Sequence, residues 1–156
     1  MLESVSDYLD AIPIREFPQG ETLLASGTRS GKLIFLEEGT LAVVRDGVTI
    51  TRIRQPGSVF GEMSLLLDVP HTADVVALTP LRCRIVENAA AVLMAQPPML
   101  AYVAAVVAHR LNAATRYLVD VKSQFADSGT HLAMIDEVME TLLNRVPTTL
   151  AARAKG

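Results

Sequence analysis

The sequence predicts a mainly β fold with flanking helices: a double-stranded β-helix jelly roll followed by a long helix and a C-terminal helix. From Phe17 to Val86, short apolar runs alternate with turn residues, which is typical of antiparallel strands. The pair Asp46-Gly47 stands between two such runs, and this dipeptide favours a two-residue hairpin turn. Beyond residue 97, apolar residues recur at helical spacing over about four heptads.

A short entry helix precedes the strands. Val5, Tyr8 and Leu9 are spaced to face a core from a helix over Ser4–Asp10, which ends before Pro13. Many short strands at this spacing are typical of a double-sheet jelly roll or barrel, which we assign to residues 1–96. The predicted strands lie in TLLA, KLIFLEEG, TLAVVR, VTITRI, SVFG, DVVAL and LRCRIV.

Two helices are predicted after the strands. Asn88 is a suitable cap for a short helix over Ala89–Ala95, which Pro97 and Pro98 end. The long helix, assigned to 97–126, carries two seven-residue apolar rows that together form a seam. We expect a homodimer through Leu100–Phe125, because an exposed seam needs a partner helix; the alternative is packing on the chain's own barrel or tail. The rows are Leu100, Val107, Ala114 and Val121, and Ala104, Leu111, Leu118 and Phe125.

The remaining segment, 127–156, contains a break at DSG and then one apolar stripe typical of a helix that ends at Pro147. We expect this helix to dock on the barrel or on the other subunit, and TTLAARAKG to be disordered. The stripe consists of Leu132, Ile135, Val138, Met139, Leu142 and Val146.

Composition limits the possible functions. The chain has 156 residues, 50% of them apolar, so it can bury one substantial core. A net charge of −3 without a basic cluster argues against nucleic-acid binding. No apolar run has the length of a membrane span, and MLESVSDYLD lacks the regions of a signal peptide, so we expect no membrane association and a cytoplasmic protein. Cys83 alternates with Leu81 and Ile85, which favours a core residue over a reactive thiol.

The stretch around which the chain is organised is Phe60–Ala77, FGEMSLLLDVPHTADVVA. Gly61 can adopt backbone angles that are closed to other residues, and Glu62–Leu67 consists of helix-forming residues. A short helix therefore follows a strand here. The first amides of such a helix lack internal partners and carry the positive end of its dipole, so they favour a phosphate.

This stretch resembles the phosphate-binding cassette of the cyclic nucleotide-binding domain family, of the catabolite activator type, and we call it the cassette. In that family the motif F-G-E-hydrophobic-small-L is followed by P-R-T/S/A-A-x-V. The resemblance implies that Glu62 accepts a hydrogen bond from the ribose 2'-hydroxyl. It implies that amides around the short helix hold a cyclic phosphate. The implied ligand residues in the cassette are Gly61, Glu62, Met63, Ser64, His71, Thr72 and Ala73.

The resemblance also covers the long helix. HRLNAAT at His109–Thr115 is similar to the family's dimer helix, which implies that Asn112 and Thr115 reach the base. In that family a DNA-binding domain begins after this helix. Here about thirty residues remain, with acidic residues on the polar face, so we expect no recognition helix and no nucleic-acid partner.

The chain departs from the family motif at His71, where the family has arginine. A neutral imidazole offers one donor where a guanidinium offers a permanently charged fork, so we expect cyclic nucleotide binding to be weakened or altered. Glu62 has an alternative role as a carboxylate that accepts backbone amides and braces the loop. The sequence thus leaves two functions open: a small-molecule sensor, or a ligand-independent dimerisation and docking module on the same fold.

We expect neither an enzyme nor a metal protein. A metal-dependent jelly-roll enzyme needs several histidines and carboxylates that converge inside the barrel. The chain has only His71, His109 and His131, which are well separated. No serine or cysteine nucleophile has a recognisable partner motif. The expected ligand is a cyclic nucleotide, with no cofactor and with an unidentified protein as a possible partner.

Overall fold

Two compact units make up the chain, and the division falls between Val106 and Val107. The structure, a computed structural model, describes residues 2–126 and 129–146. Of the predicted break at DSG, Asp127 and Ser128 lie outside these residues, and so do Pro147 and the tail TTLAARAKG.

In the described part of the first unit, eight strands form two four-stranded antiparallel sheets, which confirms the predicted jelly roll. One sheet has the order β1-β8-β3-β6 and the other the order β2-β7-β4-β5. The strands are β1 Ile14–Phe17, β2 Thr22–Leu24, β3 Leu33–Glu38, β4 Leu41–Arg45, β5 Val48–Ile53, β6 Val59–Phe60, β7 Asp74–Ala77 and β8 Leu81–Val86.

The predicted hairpin joins β4 to β5. Asp46 and Gly47 both adopt left-handed angles, with φ of 52° and 77°, and Arg45 pairs directly with Val48. Strand β1 was not predicted, because Arg15 and Glu16 interrupt its apolar residues. It forms through its antiparallel pairing with β8, about 70 residues later in the chain.

The residues of strand β3 show that the first sheet is buried on both faces. Its residues Leu33 to Leu36 are all at most 1% exposed, and they alternate between two apolar clusters. Ile34 and Leu36 face the second sheet, together with Phe60 and Cys83. Leu33 and Phe35 face the opposite way, where helices cover the sheet. A continuous apolar run rather than an alternating one follows from burial on both faces.

The described residues also form five helices: α1 Leu2–Asp10, α2 Glu62–Leu67, α3 Ala89–Ala95, α4 Pro97–Gln124 and α5 Gly129–Leu143. Residues of α1, α3 and the first turns of α4, among them Val5, Leu93 and Val103, form the second cluster with the outer face of β3. None of the described helices is by itself long and apolar enough to span a membrane. Only α3 and α4 taken together have the length and composition of a span, and the pair is bent by 110° at the break between them.

Two predicted helix boundaries need correction. Asn88 does precede α3, but it has a φ of 46° and its side chain makes no capping hydrogen bond. Pro97 and Pro98 end α3 as predicted, yet they also form the first turn of α4. Proline fits there because the first amides of a helix have no intrahelical partner.

Helix α5 belongs to the second unit. On its predicted stripe Ile135 is buried, whereas Val138 is 49% exposed. The helix ends at Leu143, three residues before Val146. The side chain of the next residue, Asn144, donates a hydrogen bond to the carbonyl of Glu140 (2.8 Å) and so competes with continuation of the helix. The side chains of Lys122 on α4 and Asp136 on α5 form an ion pair.

Arg84 ties the entry helix to the first sheet. Its side chain is only 13% exposed. The guanidinium donates to the carboxylate of Glu37 (2.6 Å) and to the carbonyls of Leu9 (2.9 Å) and Ile12 (2.5 Å). Leu9 lies in the last turn of α1 and Ile12 just beyond it, where a helix leaves acceptors unsatisfied. Arg84 therefore completes the C-terminal end of α1.

We expect Arg84→Met to lower the free energy of unfolding by about 2–4 kcal/mol, because it leaves a partly buried carboxylate and several carbonyls without their donor. Arg82→Met is the matched control. Arg82 lies on the same strand but is 49% exposed and pairs with Glu38, so its loss should cost less than about 1 kcal/mol. Urea denaturation followed by circular dichroism measures both. Equal losses in the two variants would contradict the assigned role of Arg84.

Candidate functional site

The cassette begins with a turn that only glycine can make. Gly61 follows β6 with a φ of 92°. A Cβ atom at this position would lie 2.4 Å from the carbonyl oxygen of Lys32. Both the backbone conformation and the contact exclude a side chain. Gly61 therefore allows the cassette to pass directly against the strand that begins after Lys32.

Helix α2 is closed by its own residues. Asp68 ends it with a left-handed φ of 53° and a backbone hydrogen bond to the carbonyl of Ser64. The hydroxyl of Ser64 donates to the carbonyl of Val69 (2.5 Å). Ser64 therefore holds the loop after α2 with both its backbone and its side chain. The predicted turn, helix and loop thus form one closed unit.

A second segment lies against the cassette: the connection from β2 to β3, Ala25–Lys32, which we call the facing loop. The amide of Gly27 donates to the carbonyl of His71, and the amide of His71 donates to the carbonyl of Thr28, both at 2.8 Å. The amide of Ser26 donates to the carboxylate of Asp74 (2.7 Å). The facing loop is thus fixed to the cassette on both sides of His71.

His71 is enclosed between the two segments. It is 7% exposed, and its Nε2 atom lies 2.8 Å from the hydroxyl of Ser30. Burial lowers the pKa of His71 below its usual value of 6.5, so the imidazole is neutral at pH 7. The position where the family has an arginine therefore carries no positive charge at neutral pH.

Glu62 lies at the start of α2 and is 5% exposed. A carboxylate rarely becomes this buried unless it is paired or hydrogen-bonded. Met63, the next residue, is 49% exposed. The start of α2 thus combines the buried carboxylate of Glu62 with a neighbouring residue that is open to solvent.

One cation at this site was missed by the sequence analysis. Arg29, on the facing loop, donates from Nη1 to a carboxylate oxygen of Asp68 (2.7 Å) and from Nη2 to the carbonyl of the same residue (3.0 Å). The two residues are 39 positions apart. The glycines on either side of TRS, Gly27 and Gly31, indicate a loop, but nothing local in the sequence indicates that this loop meets the end of α2.

The predicted site residues fall into two groups. Those of the cassette, Gly61 to Ser64 and His71 to Ala73, belong to one closed segment of the first unit; Thr72 is exposed and Ala73 is half-buried. Asn112 and Thr115 lie on the part of α4 that belongs to the second unit, exposed and half-buried respectively. Their contact with a base remains a prediction.

Two other candidates were a thiol and a metal centre. Cys83 is fully buried, and burial, together with the charge of Glu37, raises the pKa of its thiol to about 11. The core role predicted for Cys83 is confirmed. Over residues 2–126 and 129–146, no three His, Cys, Asp or Glu side chains form a group that could hold a metal ion.

Comparison with known proteins identifies relatives of the first unit. The family model described as "Cyclic nucleotide-binding domain" matches residues 14–95, more than half of the chain. Among solved structures, the catabolite activator protein of Thermus thermophilus is 27% identical and superposes with a TM-score of 0.62. That match covers 79% of this chain and 60% of that protein.

Two curated relatives are different kinds of protein, and each is similar in sequence to part of this chain. A cAMP-dependent protein kinase regulatory subunit of Yarrowia lipolytica is 30% identical over 78 residues, which are 50% of this chain and 20% of that protein. Glutaminase 2 of Bradyrhizobium diazoefficiens is 37% identical over 70 residues, 44% of this chain and 11% of that enzyme. The chain therefore matches only a small part of either relative.

Proposed function

Because the chain belongs to the cyclic nucleotide-binding domain family, we propose that it is a regulatory module that senses a cyclic nucleotide or a closely related ligand in the cassette. The observation that carries this proposal is the buried carboxylate of Glu62, placed at the start of α2 directly after the Gly61 turn. This carboxylate and the first amides of α2 beside it suit a ligand that combines a sugar hydroxyl with a phosphate.

The proposed roles follow from the chemistry of each group. Glu62 accepts a hydrogen bond from the ribose 2'-hydroxyl, and the amides from Gly61 to Ser64 bind the cyclic phosphate. Thr72 and Ala73, which follow His71, contribute a hydroxyl and a close backbone approach. Asn112 and Thr115 are proposed to contact the base. His71, neutral and bonded to Ser30, leaves this site without the family's arginine charge, so we expect weak binding.

A mechanical connection from the cassette to α4 exists within the first unit. The hydroxyl of Tyr102 on α4 donates to the carbonyl of Gly57 (2.7 Å), and the ring of Tyr102 lies 6.2 Å from that of Phe35. Gly57 precedes β6, which leads directly into Gly61. Movement of the cassette on ligand binding would therefore displace Gly57 and act on α4. We propose that this is how ligand binding alters a partner surface.

We propose that the assembly is a homodimer through Leu100–Phe125. Support comes from apolar seam side chains that a single chain leaves exposed on this helix, Leu100 (37%) and Leu111 (44%), and from Phe125 (43%) just after it. The family is one of ligand-binding domains, and we propose that the chain is not itself an enzyme. A cytoplasmic location and the organisation 1–96, 97–126 and 127–156 stay predictions from the sequence.

A second candidate function is ligand-independent dimerisation or docking on the same fold. One observation favours it: the groups around His71 already satisfy one another. The imidazole bonds to Ser30, and Arg29 bonds to Asp68. Hydrogen bonds of this kind can keep the two loops folded together in a protein that no longer binds a ligand.

Calorimetric titration with cyclic AMP, cyclic GMP and a cyclic dinucleotide separates the two candidates. We expect micromolar to millimolar binding of a cyclic nucleotide. Glu62→Gln should weaken it about tenfold, because a hydrogen bond to a charged acceptor contributes about 1.5–3 kcal/mol. The 2'-deoxy analogue should lose a similar factor in the wild type and nothing further in Glu62→Gln.

The controls decide what a negative result means. If the wild type and Glu62→Gln bind equally, and the 2'-deoxy analogue binds as well as the parent nucleotide, Glu62 does not contact the sugar. If none of the three ligands binds to the folded wild-type protein, the sensor proposal is wrong and the docking module is favoured.

A further inference from the structure

The cassette of this chain contains no cation of its own. Between Phe60 and Ala77 there is no lysine or arginine, but there are three acidic residues, Glu62, Asp68 and Asp74. An anionic ligand in this segment would meet net negative charge. The amides at the start of α2 favour a phosphate, and a positive charge from outside the cassette would strengthen its binding.

The facing loop carries the cations that lie against the cassette. Of its two cations, Lys32 is directed towards Glu87, with its Nζ atom 3.5 Å from that carboxylate. Arg29 instead donates two hydrogen bonds to Asp68, at the end of the cassette helix. Both chain neighbours of Arg29 contact His71: Thr28 through its carbonyl and Ser30 through its hydroxyl. The backbone of Arg29 is thus fixed beside the imidazole.

We infer that Arg29 provides the permanent positive charge that pairs with the anionic group of a ligand in the cassette at neutral pH. This inference rests on the proposed function. The loss of arginine within the cassette is then offset in part by an arginine on the opposite segment. A guanidinium suits this role because it stays charged at every relevant pH and forms paired hydrogen bonds with phosphate oxygens.

The pair with Asp68 can release Arg29 at little cost. The side chain of Arg29 is 55% exposed and that of Asp68 is 94% exposed, so water screens their attraction. A bound phosphate offers Arg29 a second acceptor and competes with Asp68 for it. Asp68 therefore weakens ligand binding. It pairs with Arg29 while the site is empty, and this pair must break before Arg29 can bind the phosphate.

The test is calorimetric titration of the full chain with cyclic AMP or cyclic GMP, whichever binds, and with its nucleoside, which lacks the phosphate. Arg29→Gln should lower cyclic nucleotide affinity at least tenfold and leave nucleoside affinity unchanged. Lys32→Gln, the matched loss of one charge from the same loop, should change either affinity less than twofold. Asp68→Asn should raise cyclic nucleotide affinity two- to fivefold.

Several outcomes overturn the inference. If a folded Arg29→Gln variant binds the cyclic nucleotide like Lys32→Gln does, Arg29 does not pair with the phosphate, while the proposed function stands. If Arg29→Gln loses nucleoside affinity equally, its role is structural. If Arg29→Gln does not fold, the variants Arg29→Lys and Asp68→Asn test the inference instead. If neither variant changes the affinity for the cyclic nucleotide, the inference is rejected. If the wild type binds no cyclic nucleotide, the proposed function and this inference both fail.

Discussion

His71→Arg should strengthen cyclic nucleotide binding roughly 30-fold or more. The wild-type imidazole is buried and neutral at pH 7, whereas an arginine at this position would present a permanent charge to the phosphate. Truncating one partner of a buried charge pair typically costs about 2–5 kcal/mol, which corresponds to a factor of about 30 to several thousand. Calorimetric titration at pH 7.4 compares the variant with the wild type.

The control for this variant is Ser30→Ala, which removes the partner of His71 without adding charge. It should change affinity far less than His71→Arg. If His71→Arg folds correctly, as judged by its circular dichroism and thermal transition, and gains nothing, then position 71 does not contact the phosphate.

Wild-type affinity should also depend on pH. Burial lowers the pKa of His71 in the free protein, while a bound anion would favour the imidazolium and raise that pKa. Binding then takes up a proton, so affinity should grow as pH falls from about 8 to about 6. His71→Arg and His71→Gln should show a flatter profile. Equal wild-type affinities at both pH values would contradict a role of His71 towards the anion.

The same lowered pKa affects stability. The unfolded chain binds a proton at His71 near pH 6.5, whereas the folded chain resists protonation there. Above about pH 6.5 His71 is mainly neutral in both states, so its burial carries no protonation cost. As pH decreases below that value the unfolded chain takes up the proton more readily, and the free energy of unfolding falls. Urea titrations at pH 7.5 and pH 5.5 should show a smaller loss in His71→Gln than in the wild type.

The double variant Leu111→Glu with Leu118→Glu should convert the dimer to a monomer. Both residues lie at the centre of the predicted seam, where each new carboxylate would be buried without a partner. Such a burial costs several kcal/mol per site, so we expect the dissociation constant of the dimer to increase by more than about a thousandfold. Sedimentation velocity should show the mass falling from about twice the chain mass of 16.8 kDa to that of one chain.

Ala113→Glu with Val119→Glu is the matched control. These residues lie on the same helix, outside both heptad rows, and Val119 is 46% exposed, close to the 44% of Leu111. The control adds the same two charges and should leave the dimer intact. If Leu111→Glu with Leu118→Glu keeps the wild-type mass, or if the wild type is already a monomer, the seam hypothesis is wrong.

The sequence by itself determined the features that depend on neighbouring residues. Asp46-Gly47 specified its hairpin because only left-handed angles close a two-residue turn. The alternation of short apolar runs and turns was sufficient for the jelly roll, and FGEMSLLL followed by PHTADV was sufficient for the family. Cys83 was correctly assigned to the core because it shares one face of its strand with other apolar residues.

Tertiary structure decided which distant residues meet. Ser30 and His71 are 41 positions apart, and Arg29 and Asp68 are 39 apart, so no local pattern relates them. They meet because Gly61 lets the cassette pass directly against the carbonyl of Lys32, which brings the facing loop alongside. The sequence showed that an arginine is missing from position 71. Only the hydrogen bonds between two loops that are distant in sequence placed another arginine beside it.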